Sequence, residues 1–360
     1  MMGKVLVGLW SRDTHAKRNF SHETLIPLGK AVSATKEMAA TLSSKAADGL
    51  LSSIFVAPEF LFTQPRKDNT GTTAMTTLRR DWILEKIKSM ASSCPGMLLI
   101  PGTIVFKERI TSETVAEAIK SVQQAISPVR TTVAGVKSRN IPIKPYMTYE
   151  ASDKTTTASK AHYEQSLEEL SLFEKNKIIS GSGGMKHSLL INNRTYVFFD
   201  RQRIFSYGKK SNMGDYFEDS EKGIYVPGRE DGFTEIGKLK VGFEVCLDHS
   251  LGMLKEHMQA ADLDLHVIAS AEVPNNASNC ATKVGGFTIH ASANPDFSGV
   301  FKKVTGMGTQ PMTVYKFDKA KDATVKAEET VRGWDNVAPE KKAVEIDGGP
   351  LRFYVIDLPD

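Results

Sequence analysis

Short apolar runs alternate with amphipathic stretches along the chain, and this pattern predicts alternating strands and helices. The run from Val5 to Trp10 is apolar at almost every position, which is typical of a buried strand. Apolar residues from Leu25 to Leu42 then recur near helical spacing, with Ser21 placed to cap the helix and Pro27 tolerable in its first turn. The run from Ile54 to Ala57 predicts a second buried strand.

A second helix and another strand region follow the same pattern. The helix is predicted from Thr76 to Met90. Its buried face is predicted to consist of Leu78, Trp82, Ile87 and Met90. The run from Met97 to Phe106 predicts a strand region that is interrupted at Pro101 and Gly102.

The character of the sequence changes between about Lys107 and Lys177, which predicts an insertion. Apolar spacing indicates one helix through Val115–Ile126 and another through Tyr163–Phe173, joined by a connection rich in Pro, Thr and Ser. The stretch from Ala118 to Tyr149 contains no acidic residue. Its basic residues are Lys120, Arg130, Lys137, Arg139 and Lys144. This stretch is either a solvated loop or a cap over a site that attracts an acidic partner.

Strands return after the insertion. Asn193 and Arg194 are predicted to form the turn of a hairpin between strands at 188–192 and 195–200. The further predicted elements are strands at Leu239–Val245, Leu263–Ser270 and Arg352–Leu358, and a helix through Leu251–Ala261. Strands and helices in this order predict an α/β architecture.

Composition narrows the class of protein. The 360 residues are 41% apolar and 24% charged with a net charge of +4, which excludes a disordered or strongly acidic chain and does not favour nucleic acid as a partner. Three cysteines without paired spacing argue against a disulfide framework and against a CxxC site. No apolar run is long enough to span a membrane, and no signal-peptide cleavage site follows the N-terminal apolar stretch, so a cytoplasmic protein is expected.

Candidate catalytic residues stand where the predicted strands end. Cys246 lies between a strand and a helix, where the first N–H groups of the helix favour a thiolate and can bind an oxyanion. Glu59 follows a buried strand, the place where α/β folds carry reactive groups. Lys209 and Lys210 follow Tyr207, and a lysine ammonium could stabilise a tetrahedral intermediate.

Each candidate also has a purely structural interpretation. Cys246 could be a small core cysteine, as Cys94 and Cys280 are expected to be, while Glu59 could be a strand-end carboxylate and the lysine pair a solvated loop. His249 follows Cys246 by only three positions, which is a poor geometry for a nucleophile and its base. The histidines are scattered, and no spacing among them predicts a metal site.

The order of four short motifs resembles the nitrilase, or carbon–nitrogen hydrolase, superfamily. The motifs are Val56–Phe60, Tyr207–Lys209, Glu221 before Pro227–Gly228, and Val241–Asp248 with its Val-Gly-x-x-x-Cys-x-Asp pattern. The resemblance covers roughly residues 5–106 and 187–300. The chain departs from the family pattern at His187, where an Asn is usual, and at 249–252, where an Arg and a Pro are common.

The resemblance implies a four-layer α-β-β-α sandwich of the nitrilase type, formed by a single domain over residues 1–360 with the insertion at about 107–177. It implies hydrolysis of a small-molecule amide or nitrile, with Cys246 as nucleophile and Glu59 as proton carrier. Lys209, or Lys210 in its place, and the backbone N–H of Leu247 would hold the oxyanion. Glu221 would position Lys209 or orient the substrate.

The same resemblance implies that no metal or organic cofactor is needed and that the protein is a homodimer or a higher homo-oligomer. Two other functions stay open. One is acyl transfer from the thioester to an amine or alcohol, and the other is a non-catalytic protein that uses the basic insertion to hold a partner. The insertion is also expected to lie at the edge of the active site and to set substrate choice.

Overall fold

The computed structural model describes residues 3–14, 21–42, 51–65, 72–126, 129–130, 140–141, 164–172, 174, 189–211, 223–258, 262–304, 309–311, 314–318, 323–326, 344–346 and 348–358. Two large β-sheets contain most of the strands among these residues. Within the described residues, no helix combines the length and the apolar character that crossing a membrane requires.

The larger sheet has twelve strands among the described residues. They are β1 (Gly3–Trp10), β2 (Ser53–Val56), β5 (Met75–Thr76), β6 (Met97–Ile100), β7 (Thr103–Arg109), β10 (Leu189–Phe199), β11 (Gln202–Gly208), β12 (Gly223–Tyr225), β19 (Val314–Asp318), β20 (Ala323–Lys326), β21 (Val344–Ile346) and β22 (Gly349–Leu358). The order across the sheet is β20-β19-β22-β1-β2-β6-β10-β7-β5, with β11 and β12 also paired to β10 and β21 to β22. β1, β2 and β6 are parallel, so their carboxyl ends meet at one edge.

The smaller sheet contains six strands of the described chain. In sheet order they are β13 (Phe233–Ile236), β14 (Leu239–Val245), β15 (Leu263–Ser270), β16 (Thr282–Ser292), β17 (Gly299–Lys303) and β18 (Thr309–Pro311). The parallel strands β14, β15 and β16 form its centre. Two short pairs stand apart, β3 (Gln64–Pro65) with β4 (Thr72–Thr73) and β8 (Val129–Arg130) with β9 (Asn140–Ile141).

The described residues also form α-helices. They are α1 (Ser21–Leu42), α2 (Thr77–Ser92), α3 (Ser112–Ile126), α4 (164–172), α5 (Leu247–Leu251) and α6 (Met253–Met258), and 3₁₀ turns cover Ala277–Asn279 and Pro295–Phe297. Side chains of β1 alternate between two cores because successive residues of a strand point to opposite faces. Leu6 and Trp10 pack with α1 and α2, whereas Val5, Val7 and Leu9 pack against the smaller sheet.

The smaller sheet closes the core between the two sheets with residues such as Val241, Phe243 and Val267. On its outer face, Leu254 of α6 packs with Leu263 and Ala281. The helices α1, α2 and α6 thus pack on the two sheets, which share a core, and the fold is of the mixed α/β class that the sequence predicts. Each large apolar side chain buried between the layers contributes about 1.5–3 kcal/mol, so the inner core is a main source of stability.

Most predicted strands are confirmed to within a few residues. They are the strands predicted at Val5–Trp10, Ile54–Ala57, Met97–Phe106, Leu239–Val245, Leu263–Ser270 and Arg352–Leu358. The hairpin turn predicted at Asn193 and Arg194 is wrong, because β10 runs through both residues and Asn193 pairs with Val105 of β7. The turn comes at Asp200 and Arg201, whose φ angles of 45° and 71° suit a two-residue hairpin turn.

Two helix predictions also need correction. The helix α2 is confirmed, but Leu78 is 83% and Trp82 40% exposed. Its buried residues are Ile83, Ile87 and Ala91. The exposed pair forms one row of side chains along the helix, and the three buried residues form another. The two rows lie about 100° apart around the helix axis, and only the second row faces the sheet. The single helix predicted through 251–261 is instead the pair α5 and α6, separated by Gly252 with a φ of 66°.

Both helices predicted for the insertion are confirmed as α3 and α4. Val115 and Val122 of α3 and Leu170 of α4 belong to one core cluster with Phe60 and Tyr225. The insertion helices thus share a core with residues beside the candidate catalytic positions. Of the basic stretch, Lys137, Arg139 and Lys144 lie outside the described residues.

Candidate active site

Glu59 stands just beyond the carboxyl end of β2. Its backbone N–H donates to the Ser270 carbonyl oxygen over 3.2 Å. The next residue, Phe60, has a φ of 59° and donates its N–H to Thr103 Oγ1 over 2.9 Å. These bonds hold the turn between the end of β15 and the start of β7. The Glu59 carboxylate is fully buried, so its partners decide its chemistry.

Lys209 follows β11 directly, and its main chain is held on both sides. Its N–H donates to the Asn193 carbonyl oxygen over 2.8 Å, and its carbonyl oxygen accepts from the Tyr225 hydroxyl over 2.7 Å and from the Gly228 N–H over 3.1 Å. The ammonium nitrogen lies 2.9 Å from Glu59 Oε1, and both side chains are buried. A buried ion pair therefore joins the two sequence candidates.

Cys246 occupies the turn between β14 and α5, as its sequence context predicts. Its φ of 50° and ψ of −108° are strained for a residue with a Cβ atom. Its N–H donates to the Ala269 carbonyl oxygen over 2.9 Å, and its own carbonyl oxygen accepts from the His249 N–H over 3.0 Å. The thiol is buried and lies close enough to Glu59 and Lys209 for both charges to influence its pKa.

The resting thiol is not the thiolate that the sequence position favours. Burial raises the pKa of Cys246 well above its ordinary value, the negative charge of Glu59 raises it further, and the charge of Lys209 opposes the rise. The helix α5 is only five residues long, so its dipole is too weak to reverse this order. The site therefore places a neutral thiol beside a carboxylate that can take its proton.

Asn193 is a site residue that the sequence analysis missed. Its side-chain Nδ2 donates to Glu59 Oε1 over 2.9 Å, so this oxygen receives both an amide donor and the Lys209 ammonium. Asn193 Oδ1 is buried and has no hydrogen-bond partner among the described residues. The sequence predicted a hairpin turn at Asn193, and this prediction concealed its role. Asn193 reaches Glu59 because it lies within β10.

Asp248 connects the segment that contains the two lysines with the turn that contains Cys246. Its Oδ2 accepts from the Tyr207 hydroxyl over 2.7 Å and from the Lys210 N–H over 2.9 Å. Its Oδ1 accepts from the N–H of Ser211 over 2.8 Å and from the hydroxyl of the same residue. Because Asp248 stands two residues after Cys246, these bonds fix the lysine segment relative to the nucleophile.

The other residues that the sequence singles out are Lys210, Leu247, Glu221 and His187. Lys210 places its ammonium 6.0 Å from the Tyr207 ring centroid, while Lys209 contacts Glu59, so the geometry favours Lys209 over its alternative. Leu247 is the first residue of α5, and its role as oxyanion donor stays a prediction. Two further residues, Glu221 and His187, lie outside the described residues.

A second buried cluster lies beside the nucleophile turn. Glu244 Oε2 is 3.0 Å from His249 Nδ1 and 2.9 Å from His266 Nε2, and Glu244 Oε1 accepts the N–H of Leu254 over 2.7 Å. All three side chains are ligand types for a metal ion, and their potential donor atoms lie within 4.8 Å of one another. Sequence spacing does not reveal this cluster because its members belong to β14, α5 and β15.

No family model and no curated protein matches the sequence. Among solved structures, the chain is similar to a mutant of an amidase from Nesterenkonia sp. AN1, of the nitrilase superfamily, with 11% identity over 100% of this chain and 91% of that chain and a TM-score of 0.47. It is also similar to Nit3 from Saccharomyces cerevisiae, a member of branch 10 of the nitrilase superfamily, with 13% identity over 99% and 90% of the two chains and a TM-score of 0.41. The glutamine-dependent NAD+ synthetase from Acinetobacter baumannii is similar at 10% identity over 91% and 49%, with a TM-score of 0.40.

Proposed function

We propose that the protein is a hydrolase of carbon–nitrogen bonds other than peptide bonds, which cleaves a small-molecule amide or nitrile through a thioester on Cys246. One observation supports the proposal most directly. The buried Glu59 carboxylate forms an ion pair with the ammonium of Lys209, and both charges act on the buried thiol of Cys246. A nucleophile, a proton carrier and a fixed positive charge are the three elements that amide cleavage needs.

In the first step, Cys246 Sγ attacks the carbonyl carbon of the amide while Glu59 takes the thiol proton. The S–C bond forms, and the electron pair of the carbonyl moves to its oxygen. The Lys209 ammonium and the Leu247 N–H stabilise this oxyanion. Removing one such donor typically lowers the rate by about 10²–10³-fold.

In the second step, the tetrahedral intermediate collapses and the C–N bond breaks. Glu59 passes its proton to the departing nitrogen, which leaves as ammonia or an amine, and a thioester remains on Cys246. Glu59 then takes a proton from water, which attacks the thioester carbon. The S–C bond breaks, the thiolate regains the proton, and a carboxylic acid leaves. Proton transfer of this kind contributes about 10²–10⁴-fold.

The test begins with a panel of amides and nitriles incubated with the protein, followed by mass spectrometry of the peptide that contains Cys246. An acyl adduct on Cys246 together with release of ammonia or amine is expected. Cys246→Ala should abolish turnover and leave the fold intact. Cys94→Ser and Cys280→Ser should turn over substrate near the wild-type rate, since the Cys94 thiol contacts Ser93 and the Cys280 thiol contacts Asn275. Full activity of Cys246→Ala would contradict the proposal.

Glu59→Gln tests the shared proton carrier. Both formation and hydrolysis of the thioester should be blocked, because one carboxylate serves both steps. A variant that acylates at the normal rate but never releases product would assign thiol activation to another residue. A wild-type thioester that reacts with added amine and only slowly with water would instead indicate acyl transfer.

A further inference from the structure

Glu244, His249 and His266 form a buried group, the Glu244 cluster. Two of its members lie close to Cys246 in the sequence, one on each side. Glu244 precedes Cys246 by two residues and His249 follows it by three. All three side chains are essentially inaccessible to solvent. The proposed mechanism assigns no step to the Glu244 cluster, so its role has a separate explanation.

Backbone donors decide which ring nitrogens carry protons. The N–H of Asn276 donates to His249 Nε2 over 3.0 Å, so the proton of His249 is on Nδ1, the nitrogen that faces Glu244. The N–H of Ala281 donates to His266 Nδ1 over 3.3 Å, so the proton of His266 is on Nε2, which again faces Glu244. His249 therefore donates its Nδ1–H to Glu244 Oε2, and His266 places its protonated Nε2 2.9 Å from the same oxygen.

This proton arrangement argues against a metal ion. A metal would need lone pairs on His249 Nδ1 and His266 Nε2. Their protons would then move to the opposite nitrogens, where the N–H groups of Asn276 and Ala281 already point. At each ring, the imidazole N–H and the backbone N–H would then point at each other, and neither would have an acceptor. The Glu244 cluster is thus a carboxylate held by N–H donors.

The Glu244 carboxylate also reaches the next helix, since its Oε1 accepts the N–H of Leu254 at the start of α6. It therefore connects the end of β14 with α5, α6 and β15. Between β14 and α6 the chain contains the positive φ of Cys246 and the left-handed Gly252. A non-glycine residue persists in such a conformation only where its surroundings hold it there.

We propose that Glu244 is a positioning residue for the nucleophile, and that it acts through His249 and Leu254 to hold the strained turn that aims the Cys246 thiol at Glu59. This inference rests on the proposed function for its effect on turnover. A thiol displaced from its base by a fraction of an ångström reacts more slowly, although substrate binding is little changed.

The experiment uses full-length Glu244→Gln, His249→Leu and His249→Asn, compared with the wild type. Asn keeps an N–H close to the position of His249 Nδ1, whereas Leu removes it. In Glu244→Gln and His249→Leu, kcat for amide hydrolysis should fall about 10- to 100-fold with KM nearly unchanged, and His249→Asn should recover most of the loss. Asp264→Asn is the matched control, because Asp264 is also buried on β15 and bonds the Lys240 N–H and Lys283.

A second readout needs no amide substrate. The rate at which iodoacetamide alkylates Cys246, followed by mass spectrometry, should fall in the same order among the variants. If alkylation follows this order but no amide is cleaved, the positioning role stands and the proposed function fails. If Glu244→Gln does not fold, the two His249 variants still distinguish a positioning role from a purely structural one.

Two results would overturn the inference. In the first, Glu244→Gln and His249→Leu are alkylated at the wild-type rate and have the wild-type kcat, even if their melting temperatures are lower. The Glu244 cluster would then be purely structural. The other is loss of alkylation on incubation of the wild type with a chelator and its recovery with Zn²⁺, which would make the cluster a metal site.

Discussion

At the scale of single residues, two buried carboxylates have different tasks because their partners differ. Glu59 forms an ion pair with the Lys209 ammonium, its charge raises the pKa of the Cys246 thiol, and we propose that it takes the proton of that thiol during the reaction. Glu244 accepts hydrogen bonds from His249 and from the backbone N–H of Leu254, and His266 Nε2 lies 2.9 Å from its Oε2. Burial raises the pKa of Glu244, but the hydrogen bonds from the two histidines outweigh burial and lower it to about 2. Glu244 therefore stays ionised at neutral pH.

Asn193 offers the first prediction at this scale. Asn193→Leu removes the Nδ2 donor from Glu59, and kcat/KM should fall about 10- to 100-fold, the usual effect of one hydrogen bond to a charged group. Its neighbour Asn192 is the control, because its amide donates to Glu108 instead. Asn192→Leu should keep near wild-type kcat/KM. Equal activity in the two variants would mean that Asn193 does not orient Glu59.

The buried histidines predict a pH dependence of stability. Burial lowers the pKa of His290 well below 6.5, and the neighbouring His249 and His266 add to the effect. Burial also lowers the pKa of His266, although Glu244 opposes this. Because both folded pKa values are below the unfolded value, the unfolded chain binds more protons under mildly acidic conditions. Stability should be full above about pH 6.5 and decline as the pH falls below it.

The urea midpoint measured between about pH 7.5 and pH 5.5 checks this prediction. His290 contacts Ser270 Oγ through Nε2 over 2.7 Å, and its ring centroid lies 6.1 Å from that of His249. His290→Gln keeps a polar group near Ser270 but cannot take up a proton, so its midpoint should fall less steeply. The same slope in both proteins would show that other groups cause the acid sensitivity.

At the scale of elements, the lysine segment depends on a close approach between two chains. A Cβ atom added at Gly228 would lie 2.0 Å from the carbonyl oxygen of Gly208, which immediately precedes Lys209. This neighbour is backbone and cannot move aside without shifting Lys209. Position 228 therefore requires glycine for steric reasons.

Gly228→Ala should lower the free energy of unfolding by about 1–3 kcal/mol and reduce kcat at the same time, because Lys209 must move. The control is Gly29→Ala in α1, where the nearest atom to the added Cβ is Met90 Cε at 3.6 Å. That substitution should raise stability by about 0.5–1 kcal/mol through helix propensity, with kcat unchanged. Denaturant unfolding and steady-state kinetics on both variants provide the comparison. Unchanged kcat in Gly228→Ala would show that Lys209 tolerates the shift.

At the scale of the whole molecule, the insertion helices are packed into the same core as the surroundings of the site. The cluster that contains Val122 and Leu170 also contains Phe60, Tyr225 and Ala271. The ring of Phe60 lies 5.4 Å from the Lys209 ammonium, and the hydroxyl of Tyr225 bonds the Lys209 carbonyl oxygen. This packing supports the proposal that the insertion contributes to substrate choice, while selection by its basic residues stays a prediction.

Val122→Ala tests the coupling against Val32→Ala, which makes the same change in a buried position of α1 on the other side of the larger sheet. Both variants should lose about 1–3 kcal/mol of stability by leaving a cavity. Only Val122→Ala should change KM across a series of amides of different size, since only its cluster contains Phe60. Equal KM values for both variants would place the insertion outside substrate selection.

The sequence by itself determined the strands and the positions of the catalytic candidates. Runs such as Leu239–Val245 and Leu263–Ser270 predict their strands because hydrophobic periodicity is a local property of neighbouring residues. Glu59, Lys209 and Cys246 could be named because each follows a strand within a few residues. The structure shows that Glu59 and Lys209 form an ion pair and that both charges act on the pKa of the Cys246 thiol.

Only the tertiary structure decided which polar groups surround these three residues and in which protonation state. Asn193 and Glu59 are 134 positions apart, and their contact depends on the pairing of β10 with β7. His266 meets Glu244 because β14 and β15 are neighbours in one sheet, and Cys246 stays a neutral thiol because burial outweighs its position before a helix. The partners of a buried polar group follow from sheet register and burial, which depend on the whole chain and leave no local pattern.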